Sequence, residues 1–176
     1  SLRAGIAYLS EDRKGKGLLL LKDLATNLTL ASIGRFVRGL QIDRKKEAQA
    51  LDEAIREFDI RTGRTDLLAG QLSGGNQQKL LIAKMMMLDP SIVIIDEPTR
   101  GIDIGTKEQI YKFIARLAEE GRSIIVVSSE MPELIGICDR ILVMRSGQIV
   151  GEVTGEHMTE NEIVVLATGV KTGEAA

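Results

Sequence analysis

Two short runs hold the residues best suited to chemistry. Ile92-Val93-Ile94-Ile95 is an unbroken apolar stretch that ends in Asp96-Glu97-Pro98. A buried strand of this kind delivers its carboxyl end to the edge of a sheet, where α/β sheets bind ligands. An acid at that edge can hold Mg²⁺ through water, because the ion keeps much of its hydration shell. The following residue points differently, so Glu97 can polarise an attacking water. That division of labour suits phosphoryl transfer, in which positioning and charge neutralisation supply most of the catalysis. The plainer alternative is a strand end with two hydrated acids.

The second run is Leu72-Ser73-Gly74-Gly75-Asn76-Gln77-Gln78-Lys79, which puts a hydroxyl and two glycines at the mouth of an expected helix. Backbone N–H groups at a helix start attract phosphate, and glycines let a backbone approach closely. Ser-Gly-Gly alone is equally good capping chemistry. A G-x-x-x-x-G-K-[ST] phosphate loop does not occur in the chain.

The elements that must position these runs follow from periodicity. Residues 5–9 read as a short strand, 10–17 as a charged, glycine-punctuated loop, and 24–36 as helical. Asp43 can cap a helix to about Phe58 with Leu51, Ile55 and Phe58 on one face, while Arg44, Lys45, Lys46 and Glu47 read as its solvated side. Residues 62–72 form a loop, and the next helix runs from about Asn76 to Leu88, stopped before Pro90. From Ile92 the pattern alternates. A helix over 106–120 turns Ile110, Ile114 and Leu117 inward and closes at Gly121. The stretches 92–95 and 123–128 lack period-two alternation, which predicts burial on both faces of a parallel sheet. A short helix over 131–138, a hairpin around Arg145-Ser146-Gly147, a helix opened by Thr159 and a frayed tail over 171–176 complete the chain. The fold class is α/β, with a helical insert between the first strand and Ile92.

At 176 residues the chain is long enough for a real core, with roughly 70% of its extended surface buried. Its 44% hydrophobic and 27% charged residues fit a soluble globular protein. A net charge of −2, 3% aromatics and no Trp argue against nucleic acid as a partner. The single cysteine, Cys138, permits no intrachain disulfide and reads as buried filler, and His157, the lone histidine, reads as a surface residue rather than a metal ligand. No apolar run reaches membrane-spanning length.

In order and spacing, Leu72–Lys79 and Ile92–Pro98 resemble the signature motif and Walker B of ABC-type ATPases. The chain resembles the ATP-binding subunit of an ABC transporter, from just before the Q-loop to the end of the catalytic domain. That resemblance implies a partial P-loop NTPase fold: a mainly parallel core sheet over 1–19 and 89–170, with a helical signature subdomain over about 20–88. It implies ATP and Mg²⁺ as cofactors. Ser73 and Gly75 would contact a γ-phosphate held by an opposing domain's Walker A, with Leu72, Gly74 and Gln77 in the same nucleotide-binding run. Asp96 would be the Walker B acid, holding Mg²⁺ through water, and Glu97 the catalytic glutamate. Thr99-Arg100-Gly101-Ile102-Asp103 resembles the D-loop, with Asp103 its acid at the dimer interface. The missing Walker A would lie upstream of Ser1, which reads as the start of a fragment, or in an adjoining domain.

Ser10-Glu11-Asp12-Arg13-Lys14, Gly75–Lys79, Glu97–Asp103 and Ser128-Ser129-Glu130-Met131-Pro132-Glu133 narrow the likeness. They resemble the second nucleotide-binding half of fused bacterial monosaccharide importers of the ribose and galactose type. Two positions depart from the wider pattern. Glu11 stands where most such domains carry the Q-loop glutamine, and Ser129 where most carry a switch histidine, whose charge a hydroxyl cannot supply. The implied partners are a second ABC nucleotide-binding domain, transmembrane permease subunits contacted through residues 12–36, and indirectly a periplasmic or extracellular sugar-binding protein. The implied place is peripheral, on the cytoplasmic face of the plasma (inner) membrane. Two other readings stay open: an ABC-type ATPase of DNA repair or translation, and a non-catalytic regulatory remnant.

Overall fold

A computed structural model of the chain describes residues 4–169, so the tail expected over 171–176 lies outside the described residues. The chain divides into two compact units, residues 1–127 and 128–176.

The first unit is built on a three-stranded parallel sheet. Strand β1 (Ile6–Leu9) pairs with β4 (Ile92–Asp96), and β4 pairs with β5 (Ser123–Val127). The neighbours β1 and β4 are separated in sequence by an insert. The insert holds helix α1 (Leu24–Thr29), a 3₁₀ stretch Leu30–Phe36 and a two-stranded ribbon of β2 (Val37–Arg38) and β3 (Gln41–Ile42). Helices α2 (Arg44–Glu57) and α3 (Gly74–Met86) follow. Helix α4 (Ile104–Glu119) makes the crossover that a parallel β4–β5 pair requires.

Helices α1 to α4 each start where a side-chain acceptor can satisfy an orphan amide: Asp23, Asp43, Ser73 and Asp103 each accept from the N–H three residues on. Helix α4 presents Ile110, Ile114 and Leu117 to the core, as their spacing predicts, and Gly121 ends it at φ +84°. Buried Asn27 fastens the turn before α1, accepting from Leu19 N and donating to the carbonyls of Leu19 and Asp23.

Two expectations fail here. Glu47 is not on a solvated face: it is 2% exposed, accepts from the Thr29 hydroxyl at 2.5 Å, and pairs with Arg44 at 2.9 Å. A buried carboxylate survives only with such partners. The second concerns the sheet. Ala7, Leu9, Val93 and Ile95 are at most 2% exposed, with α3 packed on β1 and α4 on β5. On the other face Tyr8, Ile125 and Val127 are about half exposed, at 50%, 51% and 50%. The apolar composition fits a two-sided sheet, but the chain covers one side.

The second unit packs α5 (Met131–Ile137) and α6 (Glu160–Thr168) on an antiparallel hairpin of β6 (Arg140–Arg145) and β7 (Gln148–Thr154). Ile141, Val143, Val153 and Ile163 form its core. Ser146 and Gly147 both take positive φ, 51° and 79°, as a two-residue hairpin turn demands. Cys138 is half-buried beside this core, and burial raises its thiol pKa. His157 is exposed.

Candidate functional site

The carboxyl edge of β4 is a polar rim on the sheet's bare face. Parallel neighbours present alternate residues to the same side, so Tyr8, Ile94 and Asp96 share that face. The Tyr8 hydroxyl donates to Asp96 Oδ2 at 2.7 Å, and this bond to the carboxylate raises the phenol's pKa. Glu97 follows in a left-handed backbone, φ +50°, a conformation that non-glycine residues seldom adopt. It is pinned on both sides: its N–H donates to the Val127 carbonyl at 2.8 Å, and its own carbonyl accepts from Arg100 N at 3.3 Å. The chain thus turns sharply after Asp96 and separates the two acids.

The start of α3 is built with equal care. Ser73 caps the helix, its Oγ accepting from Asn76 N at 3.4 Å and from Asn76 Nδ2 at 2.9 Å. A Cβ on Gly75 would sit 2.8 Å from both Cγ2 and Oγ1 of Thr106, and one on Gly74 would sit 3.4 Å from the Gly101 carbonyl oxygen. The two glycines let the start of α3 lie against the start of α4. Gly101 has φ +67°, and Asp103 caps α4 through Thr106 N at 3.0 Å and Thr106 Oγ1 at 2.8 Å. The hydroxyl bond leads the contacts that lower the Asp103 carboxyl pKa.

Leu72 and Gln77 face inward. Leu72 is 8% exposed. Gln77 is 5% exposed, and its amide donates to the carbonyls of Ala69 and Leu72. Its position builds the turn beneath Ser73. Glu11, on the loop after β1, pairs with Arg100. Two residues on, Arg13 donates to the Gly74 carbonyl at 3.0 Å. The loop, the α3 turn and the segment after β4 therefore form one connected cluster. Ser129 is exposed and belongs to the second unit.

Among the described residues, no group of three or more His, Cys, Asp or Glu could hold a metal ion unaided. Asp96 alone fits only an ion that takes one carboxylate and draws its other oxygens from water and substrate phosphates, as Mg²⁺ does. Sequence reasoning missed Tyr8, Arg13 and Arg100. Tyr8 could have been found from the pleat, since a strand tyrosine paired beside Ile94 shares a face with Asp96; the arginines offered no comparable local signal.

The ABC transporter family model matches residues 1–100. The ribose import ATP-binding protein RbsA 2 of Agrobacterium fabrum is 48% identical over 169 residues, covering 96% of this chain and 33% of that protein. The L-arabinose transport ATP-binding protein AraG of Geobacillus stearothermophilus is 43% identical, covering 98% of this chain and 34% of that protein. The chain thus spans about a third of the length of these relatives. Among solved structures, a dimeric post-hydrolysis ATP-binding cassette bound to ADP and Pi superposes with a TM-score of 0.70 at 22% identity, covering 85% of this chain and 62% of that one. A second ATP-binding cassette of an ABC transporter gives 0.74 at 20% identity, covering 94% and 69%, and at these identities the likeness speaks for the fold.

Proposed function

This chain belongs to the ABC transporter family, and from that premise we propose that it forms most of one nucleotide-binding domain of a monosaccharide importer. Residues 1–19 and 89–170 form the catalytic core in this reading, and about 20–88 the helical subdomain. The domain couples ATP hydrolysis to rearrangement of a membrane permease, from the cytoplasmic face of the membrane. The kinship to ribose and arabinose import ATP-binding proteins supports the sugar assignment. Exposed Leu21 and Leu30, at 85% and 45%, lie in the stretch assigned to the permease contact. No helix among the described residues is long and apolar enough to cross a membrane.

The observation that carries the reading is the linkage of the α3 turn to the segment after β4 through Gly101, Glu11 and Arg13. It makes one unit of a phosphate-facing helix start and a pair of catalytic acids. Asp96 would hold Mg²⁺, which would supply charge neutralisation to bound ATP. Glu97 accepts a proton from the attacking water, its strained backbone fixing where its side chain begins. Ser73 and the Gly75 N–H face the γ-phosphate of ATP held by an opposing domain, and Asp103 meets that domain at the dimer interface. The bare sheet face beside Asp96 is the seat of the segment that carries the phosphate loop, which this chain does not contain.

A second reading, in which this half binds nucleotide without hydrolysing it, has its own support. The Glu11 carboxylate is engaged with Arg100, and Ser129 offers a hydroxyl where a histidine would offer charge. Glu97→Gln in the full-length protein separates the two. Loss of about 10²-fold or more in ATPase rate identifies a working general base. An unchanged rate leaves this half a supporting one.

A further inference from the structure

Residues 11–13 meet residues 100–101 along two adjacent contacts. Glu11 pairs with Arg100, and the Arg13 guanidinium lies between the α3 turn and the Gly101 turn. Arg13 Nη1 donates to the Gly74 carbonyl at 3.0 Å, across 61 residues of sequence. A Cβ on Gly101 would lie 3.5 Å from Arg13 Nη2, and one on Gly74 would lie 3.8 and 3.9 Å from Nη1 and Nη2. These are ordinary contact distances, so the guanidinium lies against both turns. No carboxylate among the described residues lies within ion-pair distance of Arg13. The group is half-buried, and burial lowers its pKa. A half-buried guanidinium that donates to a backbone carbonyl gives up part of its hydration without a counter-charge in return. A planar fork can bridge two backbone turns in a way that an ammonium cannot.

We propose that Arg13 is a positioning residue that keys the Ser73–Gly75 turn to the Gly101 turn, and so sets where Ser73 and the first α3 amides meet phosphate. This rests on the reading above, in which that turn recognises ATP held by an opposing domain. Arg13 does not touch the nucleotide. It acts through the Gly74 carbonyl, and a loosened turn weakens ATP capture before it weakens the chemical step.

The test has two arms. In this chain, amide exchange is followed at Asn76 and Gln77, whose N–H groups bond to Ser73, and at Leu80 to Ala83 as an internal reference. Arg13→Ala should lose several-fold protection at Asn76 and Gln77 with the reference unchanged, and Arg13→Lys should fall between. Equal loss along all of α3, or no loss at Asn76 and Gln77, overturns the proposal. In the full-length protein, Arg13→Ala should raise KM for ATP about tenfold with kcat changed less, and added guanidinium ion should recover part of it. A fall in kcat alone, or no recovery, overturns it. A wild-type protein without ATPase activity would sink the functional reading, while the exchange arm would still report on Arg13.

Discussion

The two faces of the three-stranded sheet are written in the same alphabet and end in opposite environments. Ala7, Leu9, Val93 and Ile95 are sealed under α3 and α4, while Tyr8, Ile125 and Val127 stand half exposed. A purely parallel sheet is ordinarily covered on both sides. The buried face reports what this chain stabilises by itself. The bare face, which carries Asp96 at its rim, reports what the chain is composed to receive. The same contrast separates the start of α3, packed against the start of α4, from the β4 edge, where Asp96 lies on the half-exposed face with Tyr8 beside it.

The sharpest way to break this comparison is to truncate one residue on each face. Ile95→Ala should cost about 2–5 kcal/mol in urea unfolding, the range for a large buried aliphatic that leaves a cavity. Ile125→Ala in the isolated chain should cost less than about 1 kcal/mol, because about half of its surface already meets water. Equal losses would mean that the second face is covered after all.

A smaller effect tests the α3–α4 contact. Gly75→Ala puts a methyl 2.8 Å from the Thr106 side chain. It should cost about 1–3 kcal/mol, as overpacking does. Thr106→Ala should recover part of that loss in a double-mutant cycle; strict additivity would show that the two helix starts do not press together.

The smallest effect is one of pH. The Asp103 carboxyl is lowered by its bonds to Thr106. A group lowered on folding contributes stability above its unfolded pKa and loses it as pH falls through the folded value. Asp103→Asn should therefore lower the neutral-pH plateau slightly and flatten a small part of the acid limb, with the two profiles converging at low pH. An acid limb identical to wild type would deny the cap its charge.

Much of this was legible from local pattern. The inward face of α4, its stop at Gly121, the turn at Ser146-Gly147 and the caps at Asp43 and Ser73 each depend on residues within a turn or two. What escaped depends on distance along the chain. Glu47 looks like surface charge until Thr29, 18 residues away, is folded against it. Arg13 and Gly74 meet across 61 residues, and Glu11 and Arg100 across 89. The bare sheet face escaped for another reason: an apolar run specifies what a surface should touch, whether or not the chain carries the partner. Gln77 lies in the right run for nucleotide binding, but the helix phase turns it inward beneath the loop.

In the function proposed, this chain builds the signature turn and the acidic edge of an ATP site but not its phosphate cradle. Isothermal titration of the isolated chain with Mg-ATP tests it most directly. No saturable binding is expected below about 1 mM, equivalent to less than about 4 kcal/mol of affinity. Submicromolar binding would contradict it, because this chain would then hold the triphosphate without the loop that the account places elsewhere.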